Sequence, residues 1–125
     1  PLHVRTLFTE AMARYPASVR WAFHGHDTYG LGAANILAAW DAGVRIFDAS
    51  VAGLGGCPFA PGATGNVATE DAVWMFEGMG IKTGINLAAL IETGQRTEAT
   101  PGAQTGGRVR RALMARKASD RRIDA

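Results

Sequence analysis

The chain has 125 residues, 47% of them hydrophobic and 19% charged, with sixteen glycines and a formal net charge of +2. That length supports one domain with a buried core, and the composition excludes intrinsic disorder. The single cysteine, Cys57, excludes an internal disulfide and fits a reducing compartment, and no apolar run reaches the roughly 18 residues of a membrane span.

The first stretch, "PLHVRTLFTEAMARYP", has no signal-peptide pattern. It opens on Pro rather than Met, as a processed start or a piece of a longer chain would. Val4, Leu7, Phe8, Ala11 and Tyr15 form a helical stripe that Pro16 ends. "SVRWAF" reads as a short strand running into His24, and "GLGAANILAAWDAG" as an alanine-rich helix closed by Gly43. "VRIFDASVAG" is mostly apolar without alternation, which suits a strand buried on both faces. The stretch from Ala52 to Gly65 holds five glycines and two prolines and reads as a loop. "NVATEDAVWMFEGMG" follows as a helix with Glu70 and Asp71 in its first turn, and its Trp74, Met75 and Met79 read as core packing. Asn86 opens a shorter helix that ends at Gly94.

These elements, residues 1–94, form one unit; residues 95–107 are a linker, and residues 108–125 a basic terminal helix docked by Val109, Leu113 and Met114. Seven of the thirteen Lys and Arg lie in that tail: Arg108, Arg110, Arg111, Arg116, Lys117, Arg121 and Arg122. A nucleic-acid partner would rest on the tail alone, and none is expected. Nor is a membrane partner. The tail reads as a solvated helix face.

Strands alternating with helices argue for an α/β fold with a parallel sheet. Only two strands are convincing, and two parallel strands leave their edges unpaired. The expectation is therefore part of an α/β fold whose remaining strands come from elsewhere, or from another copy of the chain.

The chemistry concentrates in two places. In "FHGHDTYG", His24 and His26 stand two apart, the spacing that puts both side chains on one strand face. They read as half a metal site, or as polar residues at a strand end. Asp27 orients an imidazole or caps the turn into the next helix. Asn66 precedes a helix and reads as its cap, a place that leaves its side-chain oxygen able to serve a second role. Cys57 sits in the glycine-rich loop after the second strand, with Gly55 and Gly56 as turn-formers or hinges. In parallel α/β barrels, functional residues sit at the C-terminal ends of strands, which places both groups on one face.

"HGHDTYG" followed by "SVAGLGGCPFAPGATGNVATED" resembles the C-terminal part of 3-hydroxy-3-methylglutaryl-CoA lyases, from about Trp21 to Leu90. The resemblance implies the last two strands of a (β/α)₈ barrel with their helices, incomplete as given. It implies cleavage of 3-hydroxy-3-methylglutaryl-CoA to acetyl-CoA and acetoacetate, with Mg²⁺ or Mn²⁺ as cofactor. His24, His26 and Asn66 match the family's metal ligands, and Cys57 its catalytic thiol. It further implies an acyl-CoA substrate, a homo-oligomer, and a cytoplasmic location, or the mitochondrial matrix in a eukaryote. The family also draws an aspartate from the first strand, beside an arginine, and this chain has no such segment. The 125 residues alone are therefore expected to be inactive. A lyase for a longer 3-hydroxyglutaryl-CoA and a non-catalytic remnant are the alternatives.

Overall fold

The computed structural model describes residues 1–60 and 62–123. Helix α1 spans Leu2–Arg14, strand β1 Ala22–His24, helix α2 Gly32–Asp41 and strand β2 Ile46–Asp48. A single 3₁₀ turn, Val51–Gly53, opens the loop that follows β2. Helices α3, α4 and α5 are Thr69–Gly78, Leu87–Glu98 and Val109–Ile123. None of the described helices is long and apolar enough to cross a membrane.

Local chemistry sets these bounds. Tyr15 takes extended backbone angles, φ −108 and ψ 155, because the ring of Pro16 disfavours the helical region before it. Asn86 caps α4 by accepting the N–H of Ala89 at 3.1 Å, as its position in the sequence implies. Helix α4 does not stop at Gly94 but runs four residues further. Gly94 is buried, and a Cβ there would lie 2.5 Å from Glu70 Oε1 and 2.7 Å from Arg110 Cδ. The missing side chain makes room for a buried arginine rather than ending the helix.

β1 and β2 pair in parallel, with Ala22 opposite Ile46, Phe23 opposite Phe47 and His24 opposite Asp48. Alternation then sorts the side chains. Phe23 and Phe47 face the helices and join both apolar clusters: Ile36, Val67, Ala72 and Phe76 on one side, Phe8, Ala39 and Val44 on the other. The opposite face stays open, with Ile46 38% exposed. Among the described residues helices cover one face of β2, and the other is the face that further strands of the sheet would leave or cover.

Three further expectations change for similar reasons. Helix α1 packs through Val4, Phe8 and Met12, while Leu7 is 64% and Tyr15 54% exposed. On α3, Met75 joins the core, but Trp74 and Met79 are 53% and 44% exposed. Glu70, Ala72, Val73 and Phe76 supply that helix's buried face instead. Helix α5 partly buries Val109, Leu113 and Met114 as expected, but its one fully buried described residue is Arg110.

Candidate active site

The strand ends carry the polar groups. His24 Nδ1 lies 3.0 Å from Asp48 Oδ2, directly across the β1–β2 pairing. A carboxylate oxygen accepts there from Nδ1, which leaves Nε2 as the ring nitrogen outside that contact. The His24 and His26 rings stand 5.2 Å apart at 63°. Beyond β1 the chain pairs antiparallel with the segment before α3. Asp27 donates its N–H to Gly65 O, and Val67 its N–H to Gly25 O, at 2.9 and 3.1 Å. His26 and Asn66 are the residues opposite one another in that bridge. The structure therefore brings His24, His26 and Asn66 to one edge.

Asn66 is not a helix cap. Helix α3 begins three residues later, with Ala68 at its cap position. The Asn66 amide is held by its Nδ2, which donates to Leu54 O at 2.9 Å. Its Oδ1 has no hydrogen bond among the described residues. Asp27 takes the capping side of its two readings. Its Oδ1 accepts the N–H of Gly32 at 2.8 Å, and its Oδ2 faces Arg108 Nη1 at 3.3 Å.

The Cys57 loop is built from its first turn. Ala52 is the one described non-glycine residue in the left-handed region, at φ 55, a conformation that costs roughly 1–2 kcal/mol. The turn is held from inside, because Ala52 donates its N–H to both Glu70 oxygens at 3.1 and 2.9 Å. Gly55 then has φ 115, and a Cβ there would lie 2.9 Å from Asn66 Nδ2. Both facts require glycine. The loop's backbone is also strapped by the segment that precedes α5: Gly55 donates to Gln104 O at 3.0 Å, and Gly106 to Ala52 O at 2.7 Å. Gly56 lies against the Gln104 side chain.

Cys57 is partly exposed and lines an open cleft of about 690 Å³ with Gly55, Thr64, Ala103, Gln104 and Thr105 among its walls. Neither histidine lines that cleft among the described residues. The thiol and the imidazoles are thus neighbours through Gly55 and Asn66, not through one shared cavity. Among the described residues, no three His, Cys, Asp or Glu side chains group as a metal site of those types would need. The donors present are two imidazoles and one amide.

The basic tail is more than a solvated face. Asp71 caps α5 from another helix, accepting the N–H groups of Arg108, at 3.0 Å to both oxygens, and of Val109, at 2.8 Å. Arg110 Nη1 donates to Glu98 Oε2 at 2.7 Å. That hydrogen bond holds the Glu98 carboxyl below its usual range and raises Arg110. The clasp is complete at neutral pH and weakens as the pH falls through the depressed Glu98 value.

Sequence reasoning missed Asp48, Glu70, Asp71 and Arg110. Asp48 was findable, because it closes β2 as His24 closes β1. Glu70 and Asp71 read only as acids suited to a helix start. Arg110 stands among other basic residues with nothing to single it out.

The family model described as HMGL-like matches residues 1–96. The chain belongs to the HMGL-like family. A relative from Pseudomonas aeruginosa, named 3-hydroxy-3-isohexenylglutaryl-CoA/hydroxy-methylglutaryl-CoA lyase, is 50% identical over 86% of this chain and 36% of its own length. A hydroxymethylglutaryl-CoA lyase structure from the same organism superposes with a TM-score of 0.83, at 46% identity, over 91% of this chain and 38% of that one. An HMG-CoA lyase from Acinetobacter baumannii, in complex with coenzyme A and 3-methylmalate, gives a TM-score of 0.78 at 43% identity, over 90% of this chain and 36% of that one. The chain therefore spans little more than a third of the length of these HMGL-like proteins. Its fold is the C-terminal portion of their α/β barrel, two βα units with the helices that follow.

Proposed function

We propose that this segment is the C-terminal part of a divalent-metal-dependent carbon–carbon lyase that cleaves 3-hydroxy-3-methylglutaryl-CoA to acetyl-CoA and acetoacetate. The observation that carries the reading is the convergence of His24, His26 and Asn66 at the strand ends, next to the Cys57 loop. The donor set fits a metal: His24 offers Nε2, His26 an imidazole nitrogen, and Asn66 its unengaged Oδ1. Two imidazoles favour Mn²⁺ over Mg²⁺, and a carboxylate from outside these residues would complete the set for either. When bound, such an ion supplies the positive charge that lowers the pKa of the substrate's tertiary hydroxyl.

This chain's residues account for the rest. His24, fixed by Asp48, and Asn66, fixed by Leu54 O, hold their donor atoms at set positions. Loss of the hydroxyl proton turns C3–O into a carbonyl as the C2–C3 bond breaks, and the electron pair goes to C2 of the departing acetyl-CoA. The Cys57 thiol gives that carbon its proton, and the proton released from the hydroxyl returns through solvent to the thiolate left behind. The Gln104 segment closes one side of the cleft in which that proton moves. The same reading makes the protein a homo-oligomer of the cytoplasm, or of the mitochondrial matrix in a eukaryote.

A second substrate is favoured by one observation, the Pseudomonas aeruginosa relative named for a longer 3-isohexenyl acyl group as well. The test is the full-length protein assayed with both acyl-CoA compounds, with Mn²⁺, Mg²⁺ or chelator. Metal-dependent acetoacetate release from the methyl substrate is expected, and the ratio of kcat/KM values assigns the acyl group. Failure to cleave either compound with either metal would leave the non-catalytic remnant as the reading.

The Asp48 contact yields a separate expectation. A carboxylate that orients a ligating imidazole typically contributes 10- to 100-fold to metal affinity. Asp48→Asn should weaken Mn²⁺ binding by about that factor in a paramagnetic resonance titration. Unchanged affinity would show that His24 is not a ligand held through Asp48.

A further inference from the structure

The most deeply buried charges among the described residues lie outside the strand-end site. Arg110 and Glu70 both have 0% exposure. Arg110 lies over the gap left by Gly94, with its Nη1 on Glu98 and its Nε 4.0 Å from Glu70 Oε1. Its Nε and Nη2 have no hydrogen-bond partner among the described residues. The guanidinium is therefore placed by packing and charge rather than by a full set of hydrogen bonds. Glu70 in turn spends both oxygens on the N–H of Ala52. A line runs Glu98–Arg110–Glu70–Ala52, from the two C-terminal helices to the first turn of the Cys57 loop, hydrogen-bonded at both ends and joined in the middle by the 4.0 Å ion pair.

We propose that Arg110 is a positioning residue for Cys57, acting through Glu70 on the left-handed turn at Ala52. A buried carboxylate needs an opposite charge or hydrogen-bond partners to stay in place. Arg110 supplies that charge 4.0 Å from Oε1, and both Glu70 oxygens stay turned to one N–H. With the guanidinium gone Glu70 is free to turn away, and the Ala52 turn loses the contact that holds it at φ 55. Cys57 lies five residues beyond that turn, on a loop whose other strap, Gly106 to Ala52 O, starts three residues before Val109, the first residue of α5. The anchoring of α5 thus reaches Ala52 by two routes. A helix held only by its apolar face would need neither.

The proposal rests on the lyase reading only in taking Cys57 as the group positioned, and its test has an arm that needs no turnover. In the full-length protein, Arg110→Met keeps the volume and removes the charge, while Arg110→Lys keeps the charge. The rate of Cys57 alkylation by iodoacetamide would be followed across pH, beside kcat and KM. Displacing a reacting group by about 1 Å costs on the order of a hundredfold in rate. The Met variant should accordingly lose about ten- to a hundredfold in kcat, with KM within about twofold, and shift the alkylation profile. Arg110→Lys should recover most of both. Glu98→Gln, at the partly exposed end of the clasp, should shift alkylation in the same direction and serves if Arg110→Met does not fold. Wild-type alkylation in a folded Met variant, or in Glu98→Gln where Met does not fold, would overturn the proposal. So would a Lys variant as impaired as Met. If the wild type cleaves no acyl-CoA at all, the alkylation arm still decides.

Discussion

Cys57→Ala in the full-length protein is expected to lower turnover by about two to four orders of magnitude, the range for loss of a general acid or base. Affinity for Mn²⁺ should stay the same. The split follows from the geometry. The thiol sits in the cleft walled by Thr64 and Gln104, whereas His24, His26 and Asn66 meet at the strand ends. The Ala52 turn, the Gly55 bend and the Gln104 strap all rest on backbone groups or on Glu70, so removing Sγ leaves the loop in place. A lone cysteine is more often a small buried hydrophobe, but this one is partly exposed and has no apolar cluster around it. Single-turnover acetoacetate release and a manganese titration on the same sample make the check. Near-normal turnover would remove Cys57 from the chemistry. A parallel loss of metal affinity would mean that the loop and the metal site are one structure.

The α/β architecture was legible because the strands announce themselves by short apolar runs between helices. Their parallel pairing followed from the same alternation. The closeness of the His24 and His26 rings was legible because extended geometry makes the spacing meaningful. Burial was read less well. "VRIFDAS" looks buried on both faces because its apolar run does not alternate; Val44 and Phe47 meet the helices, and the face that carries Ile46 is uncovered among the described residues. Trp74 and Met79 look like core because they are large and apolar, but Val73 and Phe76 already fill that face of α3. The least legible parts are those where distant residues decide. Gly94 ends a helix by every local rule, and only Arg110, sixteen residues later, explains why it lies inside one. Asn66 is a good cap by composition, and only its pairing with His26 shows that it has another place. Residues 95–107 look like a tether because they are polar and rich in glycine. They begin as the last turn of α4 and end as a wall of the Cys57 cleft. Helical period and turn chemistry report on neighbours in sequence; these contacts join residues 12 to 54 positions apart, and no local pattern encodes them.

His26→Ala is expected to weaken Mn²⁺ binding more than any other single change on this face, by about a hundredfold or more, beyond the range for an orienting partner such as Asp48. His26 contributes to the site twice. Its imidazole is one of only two nitrogen donors at the strand ends, and its backbone sits in the bridge that brings Asn66 alongside. Alanine removes the first contribution and keeps the second. The two flanking bonds run through the main chain of Gly25, Asp27, Gly65 and Val67, none of which changes. The fold should therefore survive, with an unaltered circular dichroism spectrum and melting temperature. What this segment still offers the ion is His24 and Asn66, one imidazole and one amide oxygen. Hard divalent cations hold such pairs weakly, because charge as well as geometry sets their affinity. The expected signature is a folded protein whose manganese signal stays that of the free ion at concentrations that saturate the wild type. Saturation at the wild-type concentration would show that the spacing of His24 and His26, for all its suitability, serves the strand end and not a metal.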